Sequence, residues 1–318
     1  MYNHLYHYAL MALTTSVICC IAGIANGLVS MTGIRSIVMQ PHAQSKITRA
    51  LLLGSALTDT ASLIALVITS LFISHTTFNA AQPFINYGEV GALLGLLIAG
   101  TVVTIATSLP ARAACNAIAR QPLFAQEIQR LMLVTQSLIQ TPLIFAFIIA
   151  FMIKGKLVNI TNLAQAVHLA AAGLCIGLSS IGPTIGLGLF TKNIITSLGY
   201  NRSIYKKIVM FTFMSATIIE SPLIFSFVIT LLILKAPITH TTFLVESIGC
   251  LFAALIMAIG TLGSGISLGL VARKACASIM EYPEQYNDIR KVSLISQIFI
   301  ETISIYSFLI AAIILLKK

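Results

Sequence analysis

Three carboxylates stand in stretches that are otherwise almost wholly apolar. Asp59 lies in "ALTDTASLIALVI", Glu220 in "TIIESPLIFSFVI" and Glu301 in "IFIETISIYSFLI". A fourth stretch, "SLIQTPLIFAFII", puts Gln140 in the matching place, and the four positions are spaced 81, 80 and 81 residues apart. A hydroxyl follows each one, on Thr60, Thr141, Ser221 and Thr302. Pro142 and Pro222 come two positions beyond the key residue and free a backbone carbonyl nearby. A charge at the centre of a bilayer costs at least about 2.5–3.5 kcal/mol, and loss of hydration favours the neutral acid. An acid so placed suits one chemistry: it takes up a proton or a cation, becomes neutral, and only then faces lipid. A single such acid could be a hydrogen-bonding strut between helices. Three at one position of a repeat point to ion sites, with Gln140 a degenerate copy whose amide cannot titrate.

The elements that must hold these residues are membrane helices. The 318 residues are 58% hydrophobic and 9% charged, with a mean hydropathy of +0.97. Soluble domains carry about 25% charged residues, so this composition belongs in a bilayer. Eight apolar segments are expected, roughly 8–34, 47–74, 85–111, 128–153, 162–191, 206–234, 243–271 and 290–316. Each exceeds the roughly 20 residues a crossing needs. Glu301 lies ten residues beyond Lys291, Asp59 ten beyond Arg49 and Gln140 ten beyond Arg130. At about 1.5 Å per residue that is roughly 15 Å, half of a hydrocarbon core about 30 Å thick.

The segments pair into four hairpins, expected over 1–78, 79–157, 158–238 and 239–318. Basic residues gather in the links within pairs: Arg35, Lys46 and Arg49; Arg112, Arg120 and Arg130; Lys192, Arg202, Lys206 and Lys207; Arg273, Lys274, Arg290 and Lys291. By the positive-inside rule these links are cytoplasmic and both termini lie opposite. The same rule accounts for the formal charge of +10 without nucleic acid as a partner. A fixed period with self-similar sequence means stacked copies of one unit. The first helices add small residues four apart: Gly23 and Gly27, Gly91 and Gly95, Gly173 and Gly177, Gly182 and Gly186, Gly265 and Gly269. That spacing puts each pair on one face and allows close backbone approach, as the inner circle of a closed ring requires. The polar, His-containing start of the first helix and its missing A-x-A site argue against a cleaved signal peptide. The six Cys lack metal-ligand or disulfide spacing. The six His (His4, His7, His42, His75, His168, His240) read as interfacial polar residues at helix ends and loops.

These motifs resemble the rotor-ring proteolipid, or c-type ring protein, of rotary ATPases, more the F-type than the V-type. "ARAACNAIARQP" (111–122) is similar to that family's loop, "IGPTIGLG" (181–188) to its glycine-rich first helix, and "IETISIY" (300–306) to its ion-binding helix. The resemblance implies an all-α membrane protein that assembles with copies of itself into a ring. The ring carries ions past the stationary a-type ion-channel protein, with Asp59, Glu220 and Glu301 as carriers. The loop at Arg120, Gln121 and Pro122 would touch the central stalk, and ATP chemistry would belong to partner subunits, since the chain holds no nucleotide-binding motif. Two departures stand out: four hairpins are fused, and the Arg-Gln-Pro signature is degraded in three of the four loops. Sodium-binding members usually carry a first-helix Gln about 33 residues before the acid. Asn26, Thr107, Leu187 and Leu268 occupy those places here; Asn26 and Thr107 are possible partners of the site, while the two Leu remove an oxygen that sodium wants. Protons are therefore the expected cargo. The alternative reading, a monomeric or oligomeric proton-coupled channel or secondary transporter, fits four near-equal hairpins less well.

Overall fold

A computed structural model describes residues 2–74, 85–157, 160, 162–236 and 243–316. His75 and His240 lie outside the described residues, and the expected hairpin boundaries at 78–79, 157–158 and 238–239 fall on or beside undescribed positions. The helices are α1 (Tyr2–Met39), α2 (Gln44–Thr58), α3 (Thr60–Ser74), α4 (Ile85–Arg120), α5 (Ala125–Ile139), α6 (Thr141–Leu157), α7 (Leu163–Ser179), α8 (Ile181–Tyr200), α9 (Tyr205–Lys235), α10 (Phe243–Glu281) and α11 (Tyr286–Leu316). They compose eight spans of 34 to 38 residues, each long and apolar enough to cross a bilayer. The spans form four tandem helical hairpins. They run longer than their apolar segments because the helices continue through the polar residues flanking each link.

Those links are tight. Each is one 3₁₀ turn, at Pro41–Ala43, Pro122–Phe124, Arg202–Ile204 and Pro283–Gln285. Proline drives the residue before it out of the helical region, and Gln40, Gln121 and Tyr282 duly sit at φ −142°, −131° and −127°. The third link has Arg202 instead of proline. There the Asn201 side chain accepts a hydrogen bond from the Ser203 backbone N–H and holds the same bend, with φ −137°.

Two layers result, and they differ in what separates neighbours. The first helices α1, α4, α7–α8 and α10 stand side by side in chain order. A methyl added at Gly95 would overlap the Gly173 carbonyl, and one at Gly186 the Gly265 carbonyl, so these helices meet backbone to backbone. The second helices lie outside them. Those of the first three hairpins also pack on the first helix of the following hairpin. Phenylalanines keep the outer helices apart: Phe145 of α6 stacks on Phe227 of α9 with centroids 4.5 Å apart, and Phe225 of α9 packs on Phe308 of α11 at 5.5 Å. An array with one close-spaced layer and one wide-spaced layer bends around the close-spaced side.

Three spans are interrupted by one residue, at Asp59, Gln140 and Ser180. Their ψ values of −11°, −10° and −22° depart from the usual −42° or so of an α-helix. Two of these interruptions are key positions of the repeat.

Candidate ion-carrying sites

Asp59, Gln140, Glu220 and Glu301 each lie 18 residues beyond the first residue of their span (Pro41, Pro122, Arg202 and Pro283). Each therefore stands near the middle of an outer helix, and each is half-buried. The four following hydroxyls behave alike. Thr60 donates to the Leu57 carbonyl at 2.8 Å, Thr141 to Leu138 at 2.9 Å, Ser221 to Ile218 at 2.8 Å and Thr302 to Phe299 at 2.7 Å. In the second and third hairpins the accepting carbonyl is the one whose helical donor is missing at Pro142 or Pro222. A hydroxyl that spends its proton on its own helix turns its oxygen outward as an acceptor.

The surroundings of the four positions differ. Asp59 Oδ1 accepts a hydrogen bond from Asn26 Nδ2 at 2.5 Å, across the first hairpin from α1. Glu220 Oε1 lies 3.4 Å from the Thr141 hydroxyl, which belongs to the preceding hairpin. That site is shared between neighbours. Gln140 Nε2 donates to the Leu57 carbonyl at 2.8 Å, so it ties the second hairpin to the first. Glu301 makes no side-chain hydrogen bond among the described residues. Leu187 and Leu268 are buried and bring no polar atom. Thr107 turns its hydroxyl onto the Val103 and Thr104 carbonyls of its own helix. Its carbonyl instead accepts from Gln136 Nε2 at 3.0 Å. Arg120 stacks over the Tyr200 ring at 4.2 Å, while Gln121 and Pro122 border a hollow with Tyr200, Asn201 and Arg202. Neighbouring links thus share one surface, from which Leu123 projects 87% exposed.

Several buried polar groups were not singled out from the sequence. Gln136 and Gln297 each stand one turn before a key residue. Gln136 Nε2 also reaches the Gly54 carbonyl at 3.1 Å, and Gln297 Nε2 reaches Ser215 Oγ at 3.2 Å, so both tie a hairpin to the preceding one. Two histidines correct the interfacial reading. His7 Nδ1 lies 2.6 Å from Glu89 Oε2, and both residues are 1% exposed. His168 is also buried; its Nδ1 lies 3.3 Å from Cys250 Sγ and its Nε2 contacts the Ile233 carbonyl. His7 and Glu89, like His168 and Cys250, are 82 residues apart, close to the repeat period, which was the available signal. Among the described residues no group of three or more His, Cys, Asp or Glu could hold a metal ion.

The family model for the C subunit of ATP synthase matches this chain three times, over residues 90–153, 170–233 and 251–314. Gln140, Glu220 and Glu301 fall at the same place in the three stretches, 50 residues past each start. The first hairpin lies outside the matched stretches. The chain is 32% identical over 69 residues to the ATP synthase c subunit of Chloroflexus aurantiacus, covering 22% of this chain and 91% of the relative. It is 41% identical over 59 residues to the ATP synthase c subunit of Syntrophomonas wolfei, covering 19% of this chain and 82% of that relative. Three matched copies of the model cover more than half of the chain, which therefore belongs to the ATP synthase C-subunit family.

Proposed function

We propose that this chain is the ion-carrying rotor-ring component of a rotary ATP synthase or ATPase, with Asp59, Glu220 and Glu301 as proton carriers. One observation carries the reading. Three of the four tandem hairpins carry a half-buried carboxylate 18 residues into the span of the outer helix, each followed by a hydroxyl that donates to its own helix and leaves its oxygen free to accept. A protonated carboxyl can donate to such an oxygen and pass through lipid neutral; the carboxylate form needs water or a counter-charge. Ion flow past the stationary a-type channel protein would protonate each acid on one side and release the proton on the other, turning the ring. Protons fit better than sodium because Leu187 and Leu268 leave the Glu220 and Glu301 sites short of oxygen ligands. The basic links would face the cytoplasm, with Arg120, Gln121 and Pro122 among the residues meeting the central stalk. Catalysis of ATP chemistry would lie in partner subunits.

The test is covalent labelling by a hydrophobic carbodiimide, which attacks protonated acids exposed to lipid. Peptide mapping of the purified chain should find Glu220, Glu301 and Asp59 modified and Gln140 untouched. Labelling should fall as pH rises, because the neutral form is the one that reacts. No label on any of the three acids would contradict the carrier role. Protection by sodium at fixed pH would replace protons with sodium.

A further inference from the structure

The face of the first-helix layer turned away from the outer helices carries a hollow of about 530 Å³ near the 3₁₀ links. Every residue lining it belongs to α1, α4 or α8, so it opens on the inner side of the bend. Its cations are Arg35, Arg112, Arg120 and Lys192. The ion pair recorded among the described residues, His7 with Glu89, involves none of them. Carboxylates are scarce on these helices: α1 and α7–α8 have none, and Glu89 of α4 stands near the other end. We propose that this hollow binds the headgroup of an anionic phospholipid, with the phosphate among Arg35, Arg112 and Lys192 and the acyl chains along Leu28, Met31 and Leu109.

Loop charge alone does not account for the arrangement. Arg112 and Lys192 lie eight residues before the ends of their helices, at Arg120 and Tyr200, or about 12 Å into the span. Arg112, Lys192 and Arg273 each stand 28 residues before Gln140, Glu220 and Glu301, at one level of the repeat. Arg35 stands one turn further on, level with Asn116 and Thr196, which also line the hollow. Like charges on neighbouring helices repel unless an anion lies between them. Arg35 and Arg120 stand nearer the links, Arg112 and Lys192 are level in the repeat with exposed Met31, and Leu28 and Leu109 lie about one turn deeper along α1 and α4. A cationic rim above an apolar wall matches an anionic lipid better than a free ion or an acidic protein segment. The site lies within one chain and needs no ring, so it stands or falls separately from the rotor reading.

The purified full-length chain in mild detergent is titrated with fluorescent phosphatidylglycerol and with phosphatidylcholine. Phosphatidylglycerol should bind and phosphatidylcholine should not. The variant Arg35→Gln/Arg112→Gln/Lys192→Gln should lose about tenfold or more in affinity. Arg35→Lys/Arg112→Lys/Lys192→Arg should keep it, which guards against a folding artefact. Arg130→Gln/Lys206→Gln/Lys291→Gln removes three exposed cations from the outer helices and should leave binding unchanged. Equal loss in that control, or loss in the charge-keeping variant, overturns the site. So does full competition by millimolar inorganic phosphate, which would make the ligand a free anion. Unchanged lipid binding in the glutamine variant, with coupling to the stalk lost, would assign the cations to the stalk and overturn the proposal as well.

Discussion

In the middle of the chain, glycines close the first-helix layer; at its two ends the same pattern of small residues faces nothing. Gly265 and Gly269 of α10 lock against Gly182 and Gly186 of α8, with no room for a methyl at any of the four. Gly23 and Gly27 of α1 occupy the same repeat positions as Gly265 and Gly269, 36 and 32 residues before the key acid, yet a methyl at either would meet no atom within 4 Å. At the other end Gly263, the repeat equivalent of Gly182, is equally open. Burial follows the same gradient: 72% of the fifth span's most apolar window is buried, against 28% of the first and 17% of the last. A surface built for close packing and left uncovered within one chain fits a second copy. The internal α8–α10 contact shows the geometry such a contact would take, α10 of one copy against α1 of the next. This is a head-to-tail interface, and such interfaces close into rings when the rotation per unit divides a full turn.

Valine substitutions should separate the closed seam from the open one most sharply. Gly186→Val forces a side chain into the Gly265 backbone, which cannot yield as a side chain can, so the cost should exceed the ~1–3 kcal/mol of an overpacked core. Folded protein should be largely lost, read as recovery and thermal midpoint in detergent. Gly27→Val should keep the single chain folded with an unchanged midpoint and abolish higher-order assembly on size-exclusion chromatography. Equal damage from both would remove the distinction.

A subtler difference lies at the acids. The Glu220 site borrows the Thr141 hydroxyl from the preceding hairpin. By the same register Asp59 would borrow Thr302 from the preceding copy across the seam. Removing that hydroxyl with Thr302→Val should change carbodiimide reactivity at Asp59 by about fivefold, the worth of a hydrogen bond near 1 kcal/mol, and leave Glu220 alone. An unchanged Asp59 with an altered Glu301 would place the hydroxyl in its own hairpin's site.

The smallest effect concerns Gln140. Four hairpins carry three titratable acids, so a ring of this chain should move three ions for every four hairpins. Each elementary charge crossing 100 mV is worth about 2.3 kcal/mol. Fewer ions per turn concentrate a fixed energy from ATP on each one, which favours pumping against a steep gradient. In Gln140→Glu, the ion-to-ATP ratio from the limiting gradient should rise by about a third. An unchanged ratio, with the new carboxyl titrating, would mean that position takes no part in rotation.

Much of this was legible in the sequence because lipid leaves few options. Apolar length fixes the spans, and the spacing of Asp59, Gln140, Glu220 and Glu301 exposes the repeat. Glycines four apart mark the close-packed layer. Less legible were groups whose role depends on a neighbour in another hairpin. His7 reads as an interfacial residue until Glu89 is brought against it. Gln136 and Gln297 occupy a repeat position held by Ser55 and Ala216 in the other hairpins, so no fourfold pattern flags them. Thr107 matches the register of a site partner but is drawn onto its own helix, where hydroxyls readily bond carbonyls three and four residues back. The open state of Gly23 and Gly27 could not be read from their type, since Gly265 and Gly269 look the same in sequence and are closed.

The two open edges of one chain should meet in successive copies. Native mass measurement of the purified assembly, released from mild detergent, checks this contact. A closed oligomer of several chains at a single mass is expected, with a hairpin count divisible by four. A monomer, or an open series of masses with no preferred size, would contradict it.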